Sequence, residues 1–169
     1  MKKLFLMTII LVAVISFTGC AKKVGDKETS NSGNLDGSLE DLINEIYATA
    51  DLDSNFKEYV ESGTMLVEVT EENAEYHLGK SDIEYEEALA SEPQIQPGAY
   101  SLVLVRVKKD ADVEAIKNEI KENVNPNKWI CVGVAEENVI VDSIGDVIFL
   151  VMSDEQAQNL HEAFLALGK

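Results

Sequence analysis

The side chains able to do chemistry in this chain are few and scattered. Besides Cys20 there is one thiol, Cys131, and there are two histidines, His77 and His161. A cysteine activated by a histidine would make a nucleophilic pair, but these residues are far apart in sequence and only a fold could join them. A reactive cysteine also wants exposure and a nearby base or cation. Cys131 sits among Trp129, Ile130 and Val132 with only Lys128 beside it, which reads as a buried, inert thiol. Arg106 is the only arginine. It would serve as a bidentate clamp for a carboxylate or phosphate, or as a structural partner for one of the many acids. Trp129 and the tyrosines, Tyr100 among them, are candidates to line a pocket, although core packing is the commoner use of such rings.

Asp51-Leu52-Asp53-Ser54-Asn55 has the opening of a calcium loop, D-x-D-x-N. Phe56 then stands where a glycine is needed for the sharp turn, and Ser62 where a bidentate glutamate is needed. The stretch reads instead as a helix exit rich in turn-forming acids. No H-E-x-x-H, C-x-x-C, phosphate-binding P-loop or G-x-S-x-G stretch occurs. No catalytic residue, metal ligand or cofactor is assigned on these grounds.

The elements that must position these residues are organised around Ala99–Lys108, AYSLVLVRVK. It is too short and too β-branched for a helix, and its alternating positions are apolar on both sides, so it reads as an interior strand covered on both faces. Arg106 shares parity with Leu102 and Leu104. Before this strand, Ser38 with Asp41 forms a capping box for a helix whose apolar stripe runs Leu39, Leu42, Ile43, Ile46. A second short helix carries Phe56, Tyr59 and Val60 and ends at Gly63. Thr64–Val69 reads as a short strand, and Glu71–His77 as a helical turn or two closed by Gly79. Asp82 is placed to cap a further short helix through Leu89, with Glu84, Glu86 and Glu87 on a solvated face or gathering a cation.

After the central strand, Asp112 caps a helix to about Val124, with Val113, Ile116 and Ile120 on its buried stripe. Lys128–Ala135, Val139–Asp142 and Val147–Met152 read as three strands joined by short links, hence an antiparallel meander. Ser153 with Gln156 opens a last helix that buries Leu160, Ala163 and Phe164. The expectation is a single α+β domain over residues 38–169. It has a mainly antiparallel, twisted sheet, β-α-β-β-β-α in its C-terminal half, with helices packed on it. The second face of the sheet must be covered by the N-terminal helices, by curling, or by another subunit.

The chain has 169 residues and a formal net charge of −17. With Lys2 and Lys3 removed, 12 bases face 31 acids, or −19. That balance argues against nucleic acid and against docking on anionic lipid through the domain surface. It fits a solvated acidic body, or one that attracts cations. Two cysteines do not make a disulfide scaffold.

The N-terminus has the form of an export signal: Lys2 and Lys3, then an apolar Leu4–Ile15 broken only by Thr8, too short for a spanning helix of about twenty residues. Phe17-Thr18-Gly19-Cys20 resembles the lipobox of bacterial lipoproteins, although Phe17 and Thr18 depart from the usual Leu and Ala or Ser. The resemblance implies cleavage between Gly19 and Cys20 and a diacylglyceryl group on the Cys20 thiol. Two acyl chains, at about 0.8 kcal/mol per buried CH₂, hold durably where one holds reversibly. Residues 1–19 are thus read as signal peptide and 20–37 as the lipidated cysteine and a flexible tether, with a reach on the order of 20–25 Å.

Beyond the leader, ALASEP, AYSLVLVRVK, NPNKWICV and GDVIFLVM are similar to a family of small lipoproteins of Gram-positive anaerobes that carry a domain of unknown function. The similarity covers about Leu39 to Leu167 and is most specific over Ala88–Ser153. It implies a lipid-anchored domain on the outer face of the cell membrane and brings no activity with it. Three functions follow as expectations. The first is a non-enzymatic module that binds a protein or small molecule. The others are an extracytoplasmic hydrolase or thiol enzyme using Cys131 with a histidine, and a cation-binding acidic surface.

Overall fold

Short-range chemistry starts each element where the sequence places it. The computed structural model describes residues 33–169. Ser38 caps α1 (Leu39–Thr49): its hydroxyl accepts from the Asp41 backbone, and the Asp41 carboxylate accepts from the Ser38 backbone. Asp53 caps α2 (Ser54–Ser62) by accepting from the Asn55 and Phe56 amides, so the failed calcium loop is a helix start. β1 (Thr64–Glu68) follows Gly63 directly. α3 (Ala74–Leu78) ends at Gly79, whose φ of +86° is the left-handed conformation that closes a helix. Then come β2 (Glu87–Pro93), β3 (Ser101–Arg106), α4 (Val113–Asn123) capped by Asp112, β4 (Val139–Ile144), β5 (Val147–Met152) and α5 (Ala157–Ala166).

The five strands form one antiparallel sheet in the order β1-β2-β3-β5-β4. β3 is the middle strand, and it and β5 are buried along their whole lengths apart from half-buried Arg106. On one face, Leu102, Leu104, Phe149 and Val151 pack against α1, α2 and α5. On the other, Val103, Val105, Ile148 and Leu150 pack against α3, α4 and the segment after α4. The molecule is therefore three layers, an α+β domain whose sheet is covered on both faces by its own chain. Each fully buried Leu, Val or Phe contributes about 1.5–3 kcal/mol.

Two expectations are overturned. Lys128–Ala135 is not a strand but a looped segment. The chain folds back there: the Val134 amide donates to the Pro126 carbonyl, and a Cβ on Gly133 would stand 2.2 Å from the Asn127 side chain. Trp129 and Val134 are buried while Ile130 and Cys131 between them are exposed, a spacing that does not follow the two-residue period of a strand. The C-terminal half therefore runs strand, helix, strand, strand, helix. The missing partner of β3 comes from before it. Residues read as a helix from Asp82 to Leu89 turn out to lead into β2, where Ala88 and Ala90 are small enough to lie beneath the covering layer. The ordered body also begins ahead of Ser38, since Leu35 is buried in the core.

Candidate functional site

Glu92, at the end of β2, is the residue on which the polar interior converges. It is buried, and its Oε1 accepts from the Ser101 hydroxyl at 2.6 Å and the Lys128 ammonium at 2.7 Å, with His77 Nδ1 at 3.2 Å. Lys128 also donates to Ser101 Oγ at 3.2 Å. Its Nζ lies 4.4 Å from the centre of the Tyr76 ring and 5.2 Å from that of Trp129, within cation–π range. Each member comes from a different element: α3 gives Tyr76 and His77, β2 gives Glu92, β3 gives Ser101, and the looped segment gives Lys128 and Trp129. Burial pushes the Glu92 carboxyl up, but the His77 hydrogen bond, the Lys128 charge and the other donors outweigh it and hold the carboxyl below its ordinary value. Burial also pulls Lys128 below its ordinary value, and the Glu92 carboxylate only partly restores it.

A serine beside a lysine invites comparison with a nucleophile and its base. Here the Ser101 hydroxyl is wholly buried and donates to a carboxylate that also binds the lysine. None of the surface hollows described below is lined by Ser101 or Lys128. The cluster fastens the looped segment and α3 to the sheet. Glu92 Oε2 and Trp129 Nε1 are buried without hydrogen-bond partners among the described residues.

The residues singled out from sequence are not brought together. Arg106 stands at the opposite end of β3, where its guanidinium donates to Glu87 at 2.9 Å, Asp146 at 3.2 Å and the carbonyls of Leu35 and Gly37 at 2.9 and 2.7 Å. Its forked donors clamp the chain entering the domain to the sheet, the structural partner role rather than a ligand clamp. Trp129 is buried over Lys128. Tyr100 is buried against Phe56 and Tyr59, with ring centres 5.5 and 5.8 Å away. These rings, with Asp53, Asp154 and Glu155, line a hollow of about 670 Å³ at the end of the sheet where β3 begins and β5 ends. Cys20 and Gly19 lie outside the described residues.

Cys131 is exposed, not buried, and has a φ of +61°. The correction follows from the loss of the strand. It gains no histidine: His161 is on α5, on the other side of the sheet, bound to Asp142 at 2.8 Å, and His77 is buried on Glu92. Glu84, Glu86 and Glu87 do not gather round a common point, since Glu84 pairs with Lys108 and Glu87 with Arg106. Among the described residues, no three or more acid, histidine or cysteine side chains are grouped to hold a metal ion.

Sequence reasoning missed Glu92, Ser101 and the Lys128 contact. A glutamate after ALAS carries no signal of burial until the looped segment supplies its cation. Several large apolar side chains near this cluster are exposed. The exposed large apolar residues among those described are Met65, Leu66, Tyr76, Ile95 and Ile130. Met65 is paired with Glu92 in the sheet, Tyr76 lies against Lys128, Ile130 follows Trp129, and Ile95 is three residues beyond Glu92. Leu66 adjoins Met65 on the edge strand. No known protein family, curated protein or solved structure matches the chain.

Proposed function

We propose that the chain is a non-enzymatic interaction module, tethered by lipid on Cys20 to the outer face of the cell membrane. The observation that carries this reading is the placement of its apolar surface. The Arg106 clamp fixes Leu35 and Gly37 at one end of the sheet, where a Cβ on Gly145 would also meet Gly33. Met65, Tyr76, Ile95 and Ile130 lie towards the other end, beside the Glu92 cluster. A tether entering at one end leaves the apolar end facing away from the bilayer, and exposed apolar patches of this kind mark partner surfaces. The acidic body is held off a negative membrane by its own charge. The lipobox-like Phe17–Cys20 and the resemblance to small lipoproteins support the address. Among the described residues no helix is long and apolar enough to cross a membrane.

The test is a photo-crosslinker placed at Ile130 or, as a control, at exposed Lys109 near the clamped end, in cells carrying Cys20 or Cys20→Ser. Wild-type protein should sediment with membranes and give a discrete adduct from position 130 and none from 109. Cys20→Ser should be released. Equal adducts from both positions, or sedimentation unchanged by Cys20→Ser, would overturn the proposal.

A further inference from the structure

β1 is the end of the sheet, and its outer edge is only partly closed. The Val69 amide donates to Ala88 and the Gly63 carbonyl accepts from Gln94, so the odd-numbered backbone groups face β2. By the alternation of an antiparallel ladder, those of Thr64, Leu66 and Glu68 face outward. Two of the three outward carbonyls are already covered by side-chain amides. Gln94 Nε2 donates to Thr64 at 2.6 Å, and Asn73 Nδ2 to Glu68 at 3.0 Å. The amide and carbonyl of Leu66 are left open between them among the described residues, with the leucine side chain exposed. One residue offering both a donor and an acceptor is what an added antiparallel strand requires.

The groove beside this opening reaches down to Ser91. Ser91 is the β2 partner of Leu66 and lies on the same face, wholly buried, with its hydroxyl beside the Tyr47 hydroxyl but in no well-formed hydrogen bond. It forms part of a hollow of about 560 Å³ between α1, α2 and β1, with Tyr47, Lys57, Val60 and Leu66 in its walls. The neighbouring Tyr47 hydroxyl is engaged with Tyr100 at 2.7 Å. Charge decides the occupant. From Lys57 to Lys80 there are six glutamates against those two lysines. A second copy would set two such spans and two strongly acidic bodies against each other, whereas a basic strand neutralises them.

We propose that β1 accepts an extended, basic segment of a partner protein as a sixth, antiparallel strand. That strand exchanges both backbone hydrogen bonds with Leu66, and one of its side chains enters the Ser91 groove. This rests on the reading of the chain as an interaction module and supplies the chemistry of its partner. The probe is the capped peptide Lys-Val-Lys-Val-Lys-Val-Lys, added to the full mature chain carrying Cys20→Ser and followed by backbone amide exchange. The expected result is slowing of Leu66 amide exchange by about tenfold or more at saturation, with affinity falling steeply as salt is raised. The same peptide N-methylated at alternate residues, and its glutamate counterpart, should not bind. Leu66→Lys should weaken binding about tenfold with melting unchanged. Should that variant unfold, the N-methylated peptide on wild-type protein still decides the matter.

Equal binding of the N-methylated or acidic peptide, or no binding at millimolar concentration, would overturn the proposal. So would protection at Phe56 and Tyr100 instead of Leu66, or a Leu66 amide already protected without peptide, which would mean that the chain itself fills the edge. If these fail while the adduct from position 130 persists, the edge inference falls and the interaction module stands.

Discussion

Lys128 and Glu92 show what a buried charge does to a small domain. Removing one partner strands the other, whereas removing both can be nearly neutral. Lys128→Met should therefore cost about 3–5 kcal/mol in denaturant unfolding at neutral pH. Glu92→Gln combined with Lys128→Met should be more stable than Lys128→Met alone. The pH dependence gives an independent check. The Glu92 carboxyl is held below its ordinary value in the folded state, so its contribution is present above that value and is lost as pH falls through the depressed one. In Lys128→Met the carboxyl loses its cation but keeps the His77 and Ser101 hydrogen bonds, so it moves up towards its ordinary value. Acidification from pH 6 to 4 should then cost the variant less stability than it costs the wild type. At the alkaline side, burial pushes the Tyr47 hydroxyl up to about 12, so the folded state keeps a proton that the unfolded chain gives up near 10. Stability should decline between those values, with phenolate absorbance rising as the protein unfolds.

At the scale of elements, the looped segment 124–135 and α3 depend on one another. A Cβ on Gly79 would stand 2.2 Å from the backbone of Asn123, at a φ of +86° that disfavours any side chain. The end of α3 therefore packs directly on the end of α4. Gly79→Ala should destabilise by about 2 kcal/mol or more, measured by thermal unfolding. The looped segment also decides the fate of Cys131. In a paired interior strand the thiol would be sealed until unfolding. In the loop it is exposed, so a small thiol reagent should label it in folded protein without prior unfolding. Protection until unfolding would restore the strand.

For the whole molecule, the Arg106 clamp fixes direction. It binds the entering chain at one end of the sheet and leaves the apolar end free. Arg106→Met should leave the three-layer core folded but loosen the entry. Amide exchange in residues 35–37 should rise, and a protease should cut ahead of α1 more readily, while the β3 and β5 amides stay protected. If residues 35–37 stay protected in that variant, the clamp does not hold the entry.

The α+β class, the central strand, the capped helices and the acidic surface were all legible in the chain. Each rests on local rules: alternation in Ser101–Arg106, the Ser38–Asp41 box, the Asp112 cap, and a count of charges. Pairing was not legible, because a strand is defined by its neighbour. Glu87–Pro93, rich in alanine and glutamate, is a strand only because β1 and β3 flank it, and Lys128–Ala135 is none because Pro126 and Gly133 bend it away. The candidate surface depended wholly on tertiary structure. Burial of Glu92, exposure of Ile130 and Cys131, and the gap at Leu66 arise from contacts between separate elements, such as Gln94 with Thr64 and Lys128 with Glu92. No local pattern encodes such contacts, and it is they that decide which polar groups are satisfied and which are left open to a partner.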